Sequence, residues 1–126
     1  MNTLLKITSF TDLNAWKEAH VLVLMVYETT NMFPQAELFK LTSQMCRASV
    51  SITSNIAEGF SRNSAKEKNY FYAISLGSLT ETENQLIIAR DLKYIPLEKF
   101  KILANQIVIT NKLLHGLMKS AQNRRF

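Results

Sequence analysis

A chain of 126 residues has room for one domain, which at this size buries roughly two thirds of its unfolded surface. Hydrophobic residues make up 47% and charged residues 20%, which excludes a mainly disordered chain. Three glycines and two prolines are too few turn-formers for a many-stranded β fold, so the architecture must consist of few, long elements.

Taken in chain order, residues 1–10 read as an amino-terminal arm, 11–121 as a four-helix bundle and 122–126 as a frayed basic tail. The first helix is predicted to start at Thr11, whose hydroxyl caps a first turn carrying Asp12, and to run to Asn31. Leu13, Trp16, His20, Val23 and Tyr27 recur at steps of three and four and form its expected inward stripe. Leu22, Leu24, Met25 and Val26 make other sides of the same helix apolar, more than one bundle core covers, which points to self-association.

Pro34 makes residues 33–37 a connection. The second helix spans Thr42 to Phe60, with Leu41, Met45, Ser49, Ile52 and Ile56 inward. Its many small residues, Ala48, Ser49, Ser51, Ser54 and Ala57, fit either close approach of a neighbouring backbone or serines facing water. Ser64 and Glu67 form a capping box that opens a third helix to Lys93, with Phe71, Ile74, Ser78, Leu79, Leu86 and Ala89 inward. A hairpin turning at Arg62 and Asn63 places Gly77 and Ser78 opposite Arg47 and Ala48, which gives the mid-helix Gly77 a packing reason. Pro96 opens the fourth helix, which runs to Ala121. Phe100, Leu103, Ile107, Thr110, Leu114, Leu117 and Ala121 keep a heptad spacing, and Ile102, Ile109 and Leu113 add a second apolar stripe.

The search for chemistry is brief. His20 and His115 are the only histidines and neither follows a carboxylate by three residues, so no metal site of the helical-bundle type is expected, and His20 reads as a core or interface residue. Cys46 has only Arg47 beside it, and a buried inert thiol is the default. Gly59, Gly77 and Gly116 lie too far apart to cradle a phosphate. No cofactor is implied. The densest polar group is Gln44, Arg47, Asn55, Glu58, Glu81 and Glu83. In the hairpin register above, Gln44 and Arg47 fall near Glu81 and Asn55 near Tyr70, which reads as a structural network of Arg–carboxylate type. The rival reading is an enzyme that uses Glu58 and Glu81.

Charge is more informative. The formal net charge is +5, and no acidic residue follows Glu98, whereas Lys99, Lys101, Lys112, Lys119, Arg124 and Arg125 do. Arg62, Lys66 and Lys68 around the hairpin turn, with Lys112, Lys119, Arg124 and Arg125, are the candidate cations for weak, sequence-independent binding of RNA or DNA. Few aromatics interleave with them, so base stacking is not indicated. The alternative is a scaffold that binds only protein. The longest apolar run, Val21 to Tyr27, is far short of the roughly 20 residues that span a bilayer. With no export signal and a single cysteine, a cytoplasmic location is expected.

Phe33-Pro34, Glu37, Leu41, Gln44, Arg47-Ala48, Ser51-Ile52 and the run Ser54 to Gly59, followed by Ala73 to Glu81, with Asp12-Leu13 and Trp16 near the start, resemble the signature of the four-helix bundle proteins encoded by bacterial 23S rRNA intervening sequences. The resemblance covers nearly the whole chain; Met45, Cys46 and Pro96 depart from the family pattern. It implies an up-down bundle assembled as a ring-like homopentamer. That the protein has no enzymatic activity of its own is expected from the residues, because neither a ligand cluster nor a nucleophile with a base can be assembled. The resemblance also implies kinship with the basic accessory protein of diversity-generating retroelements, which associates with a reverse transcriptase and nucleic acid. Some members carry the label ribosomal protein.

Overall fold

The computed structural model describes residues 6–123. Among them, four α-helices form an antiparallel up-down bundle: α1 (Asn14–Thr30), α2 (Ser43–Phe60), α3 (Ala65–Asp91) and α4 (Leu97–Gln122). Each helix packs against the next and α4 closes back on α1. No strand occurs among the described residues. The two longest helices start where local chemistry puts them. The Ser64 hydroxyl accepts from the Glu67 N–H at 3.1 Å, and Pro96 flanks α4, where a missing N–H costs nothing.

The start of the bundle differs from the sequence expectation. Ser9, not Thr11, is the cap, and it forms a capping box with Asp12 around a short 3₁₀ turn, Phe10–Asp12. Leu13 is extended, and α1 begins after it without a side-chain cap. The Asp12 carboxylate takes the N–H groups of Thr8 and Ser9, both at 3.0 Å, so it is already committed to the turn.

The core runs the length of the bundle. Met45, Ile52 and Ile56 of α2 and Leu103, Ile107 and Leu114 of α4 are buried as their periodicity requires. The inward face of α1, by contrast, is Ala15, Ala19, Leu22, Val26 and Thr29; of the expected stripe Val23 is buried, Leu13 and Trp16 are half-buried, and His20 and Tyr27 face out. The rotation is set by neighbours. Gln106 of α4 donates to the Glu18 carbonyl at 2.8 Å and Lys99 reaches Glu28 at 3.2 Å on one flank, and Thr30 meets Cys46 at 3.6 Å on the other. Two alanines on the inward face let α1 sit close, and the aromatic stripe is left outside.

On α3 the inward face is unusually polar. Tyr72, Ser75, Ser78, Thr82 and Gln85 are buried, whereas Ile74, expected inside, is exposed and Phe71 only half-buried. The buried hydroxyls find partners on carbonyls: Ser75 donates to Ile52 at 2.7 Å and Thr82 to Ser78 at 2.9 Å. Ser51 and Ser78 share a 2.8 Å hydrogen bond. These contacts set Ser78 opposite Ser51 rather than Ala48, a shift of about one helical turn from the sequence expectation.

The glycines exchange roles as a result. A Cβ at Gly77 would meet nothing within 4 Å, so no neighbour requires a glycine there. At Gly59 a Cβ would lie 2.6 Å from Tyr72 Cε1 and 2.9 Å from the Lys68 carbonyl oxygen, so α2 and α3 approach too closely here for a side chain. Gly59→Ala is therefore expected to destabilise the protein by about 1–3 kcal/mol through overpacking, and Gly77→Ala to stabilise it by about 0.5–1 kcal/mol through helix propensity. Urea unfolding of both variants checks the pair, and equal effects would contradict this packing.

Candidate nucleic-acid interface

The two ends of the bundle are built differently. At one end the connections between α1 and α2 and between α3 and α4 are clasped together. α3 ends with Lys93 at φ 62, the Lys93 N–H returning to the Arg90 carbonyl and the Tyr94 N–H to the Ala89 carbonyl, both at 2.9 Å. This reversal delivers the Tyr94 hydroxyl to Glu37, to which it donates at 2.7 Å. The other Glu37 oxygen accepts from the Leu41 N–H at 3.2 Å and anchors a π-helical turn, Leu38–Thr42, that leads into α2. Beside it Phe39 stands 89% exposed.

The clasp couples two titrations. The Tyr94 hydroxyl, and then the Leu41 N–H, hold the Glu37 carboxyl below its ordinary 4.5, and the same hydrogen bond raises Tyr94 above its ordinary 10.0. Thr8 and Ser9 likewise lower Asp12.

At the other end lie the turn between α2 and α3, the start of α1 and the end of α4. Asn69 donates to the Met118 carbonyl at 3.1 Å and joins the start of α3 to the end of α4. Most of the sequence-predicted cations gather here, and their circumstances differ. Arg62 is paired with Glu58 at 2.6 Å and lies over the Phe71 ring at 4.7 Å. Lys68 donates to the Phe60 carbonyl at 2.8 Å and sits 5.2 Å from that ring. Lys66, Lys112 and Lys119 are exposed, and none forms an ion pair with a described residue. Lys101, Lys112 and Lys119 are spaced by 11 and 7 residues on α4, whole numbers of turns to a good approximation, so they line one outer ridge. Arg124 and Arg125 lie outside the described residues, as does most of the predicted frayed tail.

The predicted polar network does not assemble as one unit. Gln44 and Arg47 are exposed on α2, and Arg47 has no ion pair with Glu81. The one-turn shift in register moves them apart. Glu81 instead accepts from Gln85 at 3.3 Å, Asn55 donates to the Ser51 carbonyl at 2.9 Å, and Glu58 is taken by Arg62. Glu83 is exposed. Cys46 is half-buried against the core and Thr30. His20 is exposed and stacks on Trp16 at 4.7 Å. No group of three metal-ligating side chains occurs among the described residues. No helix among them is long and apolar enough to cross a membrane.

One residue at the basic end was not among the candidate interface residues read from the sequence. Tyr70 is 63% exposed and packs edge-on against Phe71 at 5.1 Å, next to the ring that Arg62 covers. The Tyr70-Phe71 pair beside the hairpin turn is the signal that was available in the sequence.

Stability should depend on pH at both extremes through the clasp at the opposite end. The Glu37 contribution is present above about 4.5 and is lost as pH falls through its lowered value; the Tyr94 contribution is present below about 10 and is lost as pH rises through its raised value. Tyr94→Phe is expected to flatten both flanks relative to wild type in urea melts across pH. Parallel profiles for the two proteins would rule this out.

The comparisons with known proteins follow the same lines. No curated protein matches the chain. Among solved structures, a protein of unknown function from the S23 ribosomal protein family of Bacteroides thetaiotaomicron shares the fold, with a TM-score of 0.75 and 24% identity over 83% of this chain and 95% of that one. The model of the 23S rRNA-intervening sequence protein family matches residues 11–116, a span that takes in α1, α2 and α3 entire and most of α4. The chain is therefore a member of the 23S rRNA-intervening sequence protein family.

Proposed function

We propose that the protein is a non-enzymatic, self-associating adaptor that holds RNA or DNA weakly and without sequence preference on the basic end of its bundle. The observation that carries this reading is the α4 ridge. Lys112 and Lys119, with Lys66 at the same end, are exposed cations without a carboxylate partner among the described residues, on a helix with no acid after Glu98. Arg62 contributes less, because Glu58 already neutralises it. Phosphates gain from each uncommitted cation by releasing counterions. Against an enzyme stand Glu58 and Glu81: both are exposed, Glu58 tied to Arg62 of the following turn and Glu81 to Gln85 of its own helix, and neither lines the bundle's main cavities.

Self-association rests on apolar surface. Leu24 is 57% and Ile102 53% exposed, and the α1–α4 register set by Glu18–Gln106 and Glu28–Lys99 puts them level with each other. Tyr27, one turn beyond Leu24 on α1, is 49% exposed. Burying one such side chain contributes about 1.5–3 kcal/mol. The family resemblance supplies the number five, and a pentamer repeats the basic ridge around a ring, where multiplicity strengthens a weak patch. A reading as a protein-only scaffold, with a reverse transcriptase as the type of partner, draws on exposed Met32, Leu38 and Phe39 at the clasped end.

Sedimentation tests the assembly. Wild type is expected to exceed the 14.4 kDa monomer, and Leu24→Asp with Ile102→Asp to shift it down; a monomeric wild type at micromolar concentration refutes self-association. A labelled oligonucleotide tests the ligand. Retention should weaken steeply between low and physiological salt, and reversing Lys112 and Lys119 should reduce the log–log salt slope by about 0.7 for each lost phosphate contact on a single strand. No retention at low salt leaves the protein-only scaffold.

A further inference from the structure

Three aromatic rings are largely exposed among the described residues: Tyr27 on α1, Phe39 at the clasped end and Tyr70 at the basic end. Only Tyr70 stands among the candidate cations. Spacing along the chain indicates no base stacking, because few aromatics interleave with the basic residues, but folding gathers cations from separate segments around this one ring. Lys66 precedes Tyr70 by four residues on α3, which sets the two side by side on the helix surface with about 6 Å between their Cβ atoms. Asn69, the residue before Tyr70, donates at 3.1 Å to the carbonyl of Met118, the residue before Lys119. Tyr70 and Lys119 are thereby brought to the same level of the bundle. The acids that flank the turn are already engaged, Glu58 by Arg62 at 2.6 Å and Glu67 by the Ser64 hydroxyl at 3.3 Å.

The ring is prepared for a flat partner. Its edge-to-face contact with Phe71, at 5.1 Å and 89°, restrains its orientation, and Phe71 is itself held by the Arg62 guanidinium, 4.7 Å above its ring. With Tyr70 63% exposed, a face of the ring is left open to solvent. A nucleobase matches such a face once it is free of its own stack. In a duplex it is not free, and Tyr70, set in the second turn of a regular helix, has no projecting loop on which to enter the stack. We infer that the basic end prefers single-stranded nucleic acid, one unpaired base stacking on Tyr70 while the neighbouring phosphates lie on Lys66 and Lys119. Every base has a π-face, so the contact requires no particular sequence. The inference rests on the reading of this end as a nucleic-acid interface.

The test separates bases from phosphates. Retention of a labelled oligothymidylate of about 15 nucleotides by the intact protein at low salt is compared with that of an abasic strand of the same length and charge. Wild type is expected to bind oligothymidylate about fivefold or more tighter than the abasic strand, Tyr70→Phe to keep that ratio, and Tyr70→Ala and Tyr70→Leu to bring it close to one. The salt slope should be the same in Tyr70→Leu as in wild type, because the phosphate contacts remain. Lys66→Glu combined with Lys119→Glu should weaken both strands. A ratio of one in wild type overturns the inference and leaves the nucleic-acid reading standing, whereas no retention of either strand overturns both. A ratio that survives in Tyr70→Ala overturns the inference alone. If that variant also sediments more slowly, the ring belongs, with the exposed Ile74 four residues on, to a contact between copies of the chain.

Discussion

The close approach of α2 and α3 is the constraint from which the rest of the bundle takes its geometry. Three contacts enforce it: Ser75 donates to the Ile52 carbonyl, Ser51 and Ser78 share a hydrogen bond, and Gly59 admits the Tyr72 ring where a side chain has no space. Hydroxyls aimed at a neighbouring backbone tolerate little sliding, because a shift of one turn would leave them buried without partners. Register is therefore held by polar chemistry inside an otherwise hydrophobic core. Once it is set, the turn at Ser61–Ser64, the cap on α3 and the position of Asn69 against α4 follow.

The same constraint divides the molecule into two ends with different chemistry. At the clasped end, the Schellman-type termination of α3 delivers Tyr94 to Glu37, and the shared proton donor ties two connections that are far apart in sequence. At the opposite end, Arg62 and Lys68 are drawn into the turn, by Glu58 and by the Phe60 carbonyl, while the lysines of the α4 ridge are left to solvent. Formal charge alone treats these residues as equivalent. Their local partners separate the cations that hold the turn together from those on offer to a ligand.

Membership of a family and likeness to a solved bundle establish the fold, and function has to be argued from surfaces and cavities. In this bundle the interior is filled by side chains with no ligand-holding constellation among the described residues. What distinguishes the chain lies on the outside: the apolar Leu24–Ile102 face, the lysine ridge, and the exposed Tyr70 ring beside the turn.

Much of the fold was legible in the sequence, since it rests on short-range rules. The Ser64 cap, Pro34 and Pro96 delimit helices through the backbone groups beside them, and the apolar stripe of α2 and the longer, heptad-spaced stripe of α4 mark their inward faces. The candidate cations could also be read directly, because lysines on a stretch with no acid after Glu98 need no tertiary information to be recognised. On α1 periodicity pointed to the stripe through Trp16 and Tyr27, whereas contacts from α2 and α4 turned the face with Ala15 and Ala19 inward. On α3 the inward face is partly serine, threonine and glutamine, so hydropathy misplaced Ile74. The sequence by itself thus determined which segments are helical and which cations exist, because those properties belong to residues and their near neighbours. Only the tertiary structure decided which glycine is indispensable, which arginine is neutralised and which α4 lysine stands level with Tyr70, because each depends on side chains from separate helices meeting at one register and rotation.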